Sequence, residues 1–229
     1  MENIVSSGQP RKNRIRNLEF ELGAWQIGHL VCGIDEVGRG PLAGPVVAAA
    51  VVLFPDSYAR CVKDSKLLDA LQLEKAAKWV REHSWYGVGV ADQAMIDRHN
   101  IHGATCRAMR RAVSQLMTTC PRGPELVLID AVKLRVDDCI GGEPTVQSFI
   151  KAESRSISVA AASIIAKVTR DALMQLHEIA VPGYGFAAHK AYATAEHKRL
   201  LLARGHSIIH RISFVDHIVT NNEQQSILW

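Results

Sequence analysis

Three apolar stretches of strand length in this chain end in carboxylate residues, and this pattern constrains the fold more than any other feature. The stretches are LVCGIDEV, which carries Asp35 and Glu36, PELVLIDA, which carries Asp130, and TVQSFIKAE, which ends in Glu153. Short apolar runs bounded by turn residues are typical of buried strands. If these strands are neighbours in one sheet, their acidic ends converge on one edge.

Strand-like and helix-like segments alternate along the chain, which predicts an α/β fold with a mixed sheet flanked by helices. The run PVVAAAVVLF predicts a hairpin partner for the first acidic strand. Helices are predicted for DSKLLDALQLEKAAKWVREHS, with a cap at Asp64 or Ser65, and for ATCRAMRRAVSQLMTTC, SISVAAASIIAKVTRDALMQLHEIA and TAEHKRLLLARG. We expect residues 1–20 to form a flexible extension and residues 21–229 to form one domain that ends in a helical segment.

Composition narrows the class of protein. The 229 residues are 48% hydrophobic and 22% charged, with a net charge of +4. No apolar window approaches the length of a membrane-spanning helix, and the first 17 residues lack the apolar stretch that a signal peptide needs. The five cysteines are scattered and form no CxxC pair, which predicts reduced thiols. We therefore expect a cytoplasmic protein without a membrane partner, for which a monomer is sufficient; its mildly basic charge is compatible with a nucleic-acid partner.

The acidic residues predict a divalent-metal site. A single acid at a strand end is most simply a solvated residue or a helix cap. Four of them at one sheet edge would repel each other strongly, and a cation would offset that repulsion. Oxygen ligands without nearby Cys or His pairs select Mg²⁺ or Mn²⁺. A site that holds two such ions supports hydrolysis of a phosphodiester bond.

Five segments, taken together and in this order, resemble bacterial ribonuclease HII. They are GIDEVGRGPLAGPVVAAAVVL from residue 33, DSK at 64–66, LVLIDA at 126–131, AAASIIAKVTRD at 160–171 and YGFAAHKAY at 184–192. The resemblance implies an RNase H-like mixed sheet. It also implies an endoribonuclease that cuts the RNA strand of RNA–DNA hybrids and cuts at single ribonucleotides in duplex DNA. The implied cofactor is Mg²⁺ or Mn²⁺, and the implied products carry 3′-hydroxyl and 5′-phosphate ends.

The resemblance assigns the metal-binding and catalytic roles to Asp35, Glu36, Asp130 and Glu153. The family normally has aspartate at the fourth position, in Lys-Gly-Asp or Lys-Ala-Asp, whereas this chain has Lys151-Ala152-Glu153. Glutamate keeps the charge but reaches one methylene further. Asp171 is the alternative for this role, although an acid inside a helix more often pairs with a neighbouring Lys or Arg.

The resemblance also implies how a ribose is recognised. The main chain of Gly38, Arg39 and Gly40 is expected to hydrogen-bond the 2′-hydroxyl, because glycine lets a backbone approach a ligand closely. Tyr192 matches the tyrosine that packs on the sugar of the next deoxynucleotide. The alternatives are a tight hairpin turn and a packed surface aromatic, respectively.

Further polar residues are candidates for phosphate contacts, which position a duplex without recognising its sequence. These substrate-binding candidates are Ser65, Lys66, Lys167, Arg170, Arg211 and Ser213. For each of them the alternative is a solvated group, and Lys167 could instead balance the acids. His206 and His210 are expected at the surface or facing phosphate, since no third ligand completes a zinc site.

The sequence is also compatible with two other functions. One is a nuclease of the same fold with a different substrate, which would be indifferent to the 2′-hydroxyl. The other is a nucleic-acid-binding protein that lost its activity through the change to Glu153.

Overall fold

The computed structural model describes residues 17–216 and 218, and these contain a central five-stranded sheet. The strands are β1 (Val31–Val37), β2 (Val46–Leu53), β3 (Ser84–Ala91), β4 (Leu126–Asp130) and β5 (Thr145–Phe149), in the order β3-β2-β1-β4-β5. β2 is antiparallel to both β1 and β3, whereas β1, β4 and β5 are parallel. The predicted mixed sheet is confirmed, and the three acidic strands are neighbours.

Helices surround this sheet. They are α1 (Glu21–Gln26), α2 (Ala70–Glu82), α3 (Gln93–Leu116), α4 (Asp137–Ile140), α5 (Ile157–Ala180), α6 (Phe186–His189) and α7 (Ala195–Arg204), with 3₁₀ turns at Ser65–Leu67 and Ala152–Ser154. Residues 212–216 form one more helical turn. Within the described part of the chain, no helix combines the length and hydrophobicity needed to cross a membrane.

The sheet is buried on both faces. Ala48 and Val52 of β2 point into the core under α3, whereas Ala49 and Val51 point into the core under α2 and α5. Successive side chains of a strand point to opposite faces, so a strand covered on both sides must be apolar throughout. This explains why β2 is a continuous apolar run without polar alternation.

Two helix starts differ from the prediction because of capping. The side chain of Asp69 accepts a hydrogen bond from the amide of Gln72, and the Gln72 side chain accepts one from the amide of Asp69. This capping box starts α2 at Ala70, and Asp64 caps only the 3₁₀ turn. α3 starts at Gln93, ahead of the predicted start at Ala104, and is interrupted at Asn100, where φ is 56°.

The strand predicted to end in Glu153 is shorter than expected. β5 ends at Phe149, because Lys151 adopts a left-handed conformation with φ of 60° that breaks the extended chain. Glu153 therefore lies in a 3₁₀ turn that leads into α5.

The predicted flexible extension, residues 1–20, falls mostly outside the described residues. Its last part is folded, since Asn17 and Leu18 are buried and Leu18 pairs with Ser156. The folded chain therefore begins before residue 21, and the single-domain assignment stays a prediction.

The close packing of α5 on β1 requires glycine at position 33. A Cβ on Gly33 would lie 2.1 Å from the carbonyl carbon of Ser158 and 2.2 Å from the amide nitrogen of Val159. Both atoms belong to the backbone of α5, which cannot move aside as a flexible side chain would. This contact sets how close α5 comes to the strand that carries Asp35.

We expect Gly33→Ala to lower the free energy of unfolding by about 2–3 kcal/mol, because the added methyl overpacks the β1–α5 contact. Gly23→Ala is the matched control, since no atom lies within 4 Å of a Cβ there. Alanine inside helix α1 should be neutral or slightly stabilising. Urea denaturation measures the free energy of unfolding of both variants. A Gly33→Ala protein as stable as the parent would contradict the tight β1–α5 contact.

Candidate active site

Asp35 and Asp130 are brought together by the parallel pairing of β1 with β4. The pairing extends from Val31 with Leu126 to Ile34 with Ile129, so that both aspartates follow directly after the last paired residues. The carboxyl ends of parallel strands lie at the same edge of a sheet. The convergence predicted from the sequence is therefore present for these two residues.

Glu36 lies on the other side of β1 from Asp35, because consecutive residues of a strand alternate. Asp35 lies on the face of β1 that packs against α5, where the nearby Ser163 lowers the pKa of the carboxyl against the larger effect of burial. Glu36 accepts a hydrogen bond from Arg39 at 3.4 Å. The two acids of β1 therefore point to opposite faces of the sheet.

The pKa values show that the acids share one electrostatic environment. Burial raises the pKa of Asp35 well above its ordinary value, and the negative charges of Glu36 and Asp130 raise it further. Burial also raises the pKa of Glu36, against the opposing effect of Arg39, and Asp130 adds to the increase. The pKa of Glu153 is raised by burial and then by the charge of Asp130. Ionised together, these side chains destabilise the protein.

Some of the carboxylate oxygens are held by the protein and others have no donor. Asp35 Oδ1 accepts from the amide of Glu36 at 2.7 Å, and Asp130 Oδ1 accepts from the amide of Ala152 at 3.0 Å. Among the described residues, Glu36 Oε2 and Glu153 Oε2 are buried without a hydrogen-bond partner. A buried carboxylate oxygen without a donor is costly, and a bound cation would satisfy it.

The donor set fits a divalent ion, but the side chains are not arranged as a finished metal site. Within residues 17–216 and 218, no three Asp, Glu, His or Cys side chains are placed so that they could hold a metal ion as they stand. One oxygen of Asp35 and one of Asp130 are instead bound to backbone amides. Side-chain rotation is therefore required before the acids of β1 and β4 can share an ion.

Ser65 and Lys66, the predicted phosphate contacts, lie near the acidic residues. Burial lowers the pKa of Lys66, but the charges of Asp64, Glu153, Asp35 and Asp130 outweigh this effect and raise it overall. Ser65 Oγ forms a hydrogen bond of 2.7 Å with Ser163 Oγ. The 3₁₀ turn Ser65–Leu67 thus places a cation next to the acidic cluster.

The turn that follows β1 leaves its first amides available. Within the part of the chain described, the N–H groups of Gly38, Arg39 and Gly40 donate to no protein acceptor. Gly40 is exposed, and no atom lies within 4 Å of a Cβ built there. The turn therefore presents free backbone donors next to Asp35 and Glu36.

The remaining predicted phosphate-binding residues have protein partners. Lys167 forms an ion pair with Asp171 at 2.8 Å, so Asp171 behaves as a helix acid with a lysine partner. Ser213 donates through its amide and hydroxyl to Asp97. Arg170 and Arg211 are fully buried and bound to backbone carbonyls. Their burial favours a structural role over the predicted phosphate contacts.

Tyr192 is 44% exposed, and its ring centroid lies 5.9 Å from the guanidinium carbon of Arg170. It follows Lys190 and Ala191, which both adopt positive φ, at 50° and 63°. This local conformation turns the chain sharply and leaves the tyrosine ring at the surface.

Comparison with known proteins shows the family to which the chain belongs. Residues 32–217 match the family model described as Ribonuclease HII. Ribonuclease HII of Enterococcus faecalis is 47% identical over 198 residues, which cover 86% of this chain and 74% of that protein. The chain belongs to the ribonuclease HII family. It is a ribonuclease H, an endoribonuclease that acts on RNA–DNA hybrids.

Solved structures agree with this fold. The ribonuclease H2 of Pyrococcus horikoshii OT3 superposes with a TM-score of 0.71 at 25% identity, covering 86% of this chain and 98% of that chain. A Bst-RNase HIII structure in complex with Mn²⁺ superposes with a TM-score of 0.63 at 26% identity, covering 90% of this chain and 73% of that chain. The RNase H-like fold predicted from the sequence is confirmed.

In this ribonuclease HII, two buried histidines support the Tyr192 loop, which the sequence did not indicate. His197 Nδ1 donates to the carbonyl of Tyr192 at 3.0 Å, and its Nε2 lies 3.1 Å from Nε2 of His210. His210 Nδ1 accepts from the amide and hydroxyl of Ser207. These partners require both rings to be neutral, with His210 donating to His197. The prediction that His210 lies at the surface or faces phosphate is wrong, since the residue is 1% exposed.

We expect Asp35→Asn to stabilise this ribonuclease HII in EDTA and to abolish its activity. Asparagine keeps an oxygen for the amide of Glu36 but removes a buried charge beside Glu36 and Asp130. The melting temperature should rise by about 2–4 °C, the shift that about 1 kcal/mol produces in a domain of this size. Cleavage should fall by about 100-fold or more.

Asp171→Asn is the matched control for that measurement, because it removes an acid that has a lysine partner. Its melting temperature should not rise. An Asp35→Asn protein that melts at or below the parent temperature would contradict the proposed repulsion among the acids.

The histidine pair predicts a stability loss in mild acid. Burial, followed by the effects of the neighbouring His197 and His206, lowers the pKa of His210 from 6.5 to about 4. Between these two pH values the unfolded chain binds a proton that the folded chain does not, so stability falls as the pH decreases from about 6.5 towards 4. The loss attributable to His210 is on the order of 3 kcal/mol.

Comparing His210→Gln with the parent isolates this contribution. The variant should be less stable at pH 7 but should lose less stability between pH 7 and pH 5, as measured by urea denaturation at each pH. His29→Gln, at an exposed position, is the control and should follow the parent curve. Parallel curves for His210→Gln and the parent would exclude a neutral buried His210.

Proposed function

We propose that this ribonuclease HII cuts duplex DNA on the 5′ side of single embedded ribonucleotides, in addition to cutting the RNA strand of hybrids. The reaction is metal-dependent hydrolysis that leaves 3′-hydroxyl and 5′-phosphate ends. The observation that carries this proposal is the adjacency of Asp35 and Glu36 to a turn whose backbone amides have no protein acceptor. Recognition of the ribose and cleavage next to it would then share one segment of chain.

The acids Asp35, Glu36, Asp130 and Glu153 are the proposed metal ligands. Two of them have a buried oxygen without a partner, and the pKa of each of Asp35, Glu36 and Glu153 is raised first by burial and then by neighbouring acids. The bound ions would be Mg²⁺ or Mn²⁺, and the related Bst-RNase HIII was solved with Mn²⁺. Divalent ions in such a site activate water and stabilise the leaving oxygen.

The chain's own residues would orient the substrate. The amides of the Gly38–Gly40 turn donate to the 2′-hydroxyl, which distinguishes RNA from DNA. Lys66 remains protonated beside the acids and can donate to the phosphate without neutralising them. The exposed ring of Tyr192 packs against the next sugar, which fits closely only when that sugar lacks a 2′-hydroxyl. One chain supplies all of these groups, so the proposed active form is a monomer.

The test is cleavage of a duplex that contains one ribonucleotide, next to an all-DNA duplex of the same sequence, with Mg²⁺, with Mn²⁺ and with EDTA. We expect cutting only of the ribonucleotide-containing duplex and only with a divalent ion. End analysis of the products should show a 3′-hydroxyl and a 5′-phosphate at the 5′ side of the ribonucleotide. Equal cutting of both duplexes would contradict the proposed specificity.

Gly40→Ala makes this test specific for the turn. The fold leaves room for a methyl group at this position, so the melting temperature should be unchanged. The methyl would project where the ribose approaches, and kcat/KM for the ribonucleotide-containing duplex should fall by about tenfold or more. Gly23→Ala is the matched control and should change neither quantity. An active Gly40→Ala protein would show that the substrate does not approach this backbone.

A further inference from the structure

Two fully buried arginines, Arg170 and Arg211, lie beneath the turn that joins β1 and β2. Neither of them takes part in the ion pairs found among the described residues. Burying a guanidinium without a carboxylate is costly unless its N–H groups are hydrogen-bonded. Stability of the fold alone does not explain two such buried arginines side by side. Their hydrogen bonds indicate what else they do.

Arg211 binds three carbonyl groups of the turn. Its Nη2 donates to the carbonyl of Gly38 at 2.6 Å and its Nη1 to the carbonyl of Arg39 at 2.9 Å. Its Nε and Nη2 donate to the carbonyl of Gly44 at 3.0 and 2.8 Å. The amide of Arg211 also donates to the carbonyl of Leu42. One side chain therefore holds both ends of the turn.

Arg170 holds the rest of the turn and connects it to the Tyr192 loop. It donates to the carbonyls of Pro45 at 3.0 Å and Ala43 at 3.4 Å, and twice to the carbonyl of Lys190 at 3.1 Å. A Cβ on Gly38 would lie 2.2 Å from Nε of Arg170, so this position must be glycine for Arg170 to fit. The turn and the arginines are thus packed against each other.

The geometry of the peptide bond links these contacts to the free amides. In a trans peptide, the carbonyl of one residue and the N–H of the next point in opposite directions. No cis peptide bond occurs in the described residues. Because Arg211 draws the carbonyls of Gly38 and Arg39 inward, the N–H groups of Arg39 and Gly40 must point away from it. These are two of the amides that lack a protein acceptor.

We propose that Arg211 is a positioning residue for ribonucleotide recognition, because it orients the amides of Arg39 and Gly40 towards the 2′-hydroxyl. Arg170 fixes the position of the same turn relative to the Tyr192 loop. This inference rests on the proposed function of the turn. Lysine cannot replace either arginine in this role, because a single ammonium group does not reproduce the planar fork that binds several carbonyls at once.

The experiment measures binding of the full chain to a duplex with one ribonucleotide and to the all-DNA duplex of the same sequence, in EDTA to prevent cleavage. The parent should prefer the ribonucleotide-containing duplex by about tenfold, the effect of one good hydrogen bond. Arg211→Lys should reduce this preference to nearly one, with affinity for the all-DNA duplex changed by less than about threefold. Arg199→Lys, at an exposed arginine that pairs with Glu196, is the control and should keep the preference.

A second measurement detects changes in the conformation of the turn directly. In protein labelled with nitrogen-15 glycine, the amide resonance of Gly40 should shift in Arg211→Lys and remain in place in Arg199→Lys. Arg170→Lys should weaken the preference while shifting the resonance of Gly38. Loss of folding in both buried-arginine variants at 10 °C would overturn the proposal in favour of a purely structural role.

The outcomes separate this inference from the function on which it rests. A parent protein that binds both duplexes equally and cuts neither would refute the proposed function. A parent that prefers and cuts the ribonucleotide-containing duplex, together with an Arg211→Lys protein that keeps the full preference, would refute only the positioning role.

Discussion

The parallel pairing of β1 with β4 is the contact on which the active site depends. It places Asp35 and Asp130 at the same edge of the sheet, next to each other, and no local feature of either strand could do so. The pairing is stable because both strands are covered on both faces by apolar side chains. The close approach of α5 at Gly33 then brings Ser163 near enough to Asp35 to lower the pKa of its carboxyl. The packing of the apolar core thus offsets the repulsion among the acidic side chains.

Unfavourable electrostatic interactions accompany this convergence of acids. Burial and neighbouring charge raise the pKa of Asp35, Glu36 and Glu153, and two of these residues have oxygens without donors. Groups arranged in this way lower stability, and a protein retains them where function requires them.

Recognition of the substrate draws on segments far apart in the chain. The turn after β1, the Tyr192 loop and the segment around His210 and Arg211 are joined by hydrogen bonds from buried side chains. Because peptide groups are planar, fixing the carbonyls of the turn also fixes its amides. A change near the C-terminal end of the domain can therefore alter how a ribose is recognised near its beginning.

The sequence by itself determined the interleaved strands and helices, the hairpin and the positions of Asp35, Glu36 and Asp130 at strand ends. These features follow from local hydrophobic patterns and from turn residues, which act over a few positions. The resemblance to ribonuclease HII added the family and its expected residues. Only the tertiary structure decided that Glu153 lies in a 3₁₀ turn and that Arg170, Arg211 and His210 are buried. The partners of those three side chains come from distant parts of the chain, and whether a polar group faces solvent or a buried carbonyl depends on packing that no local pattern encodes.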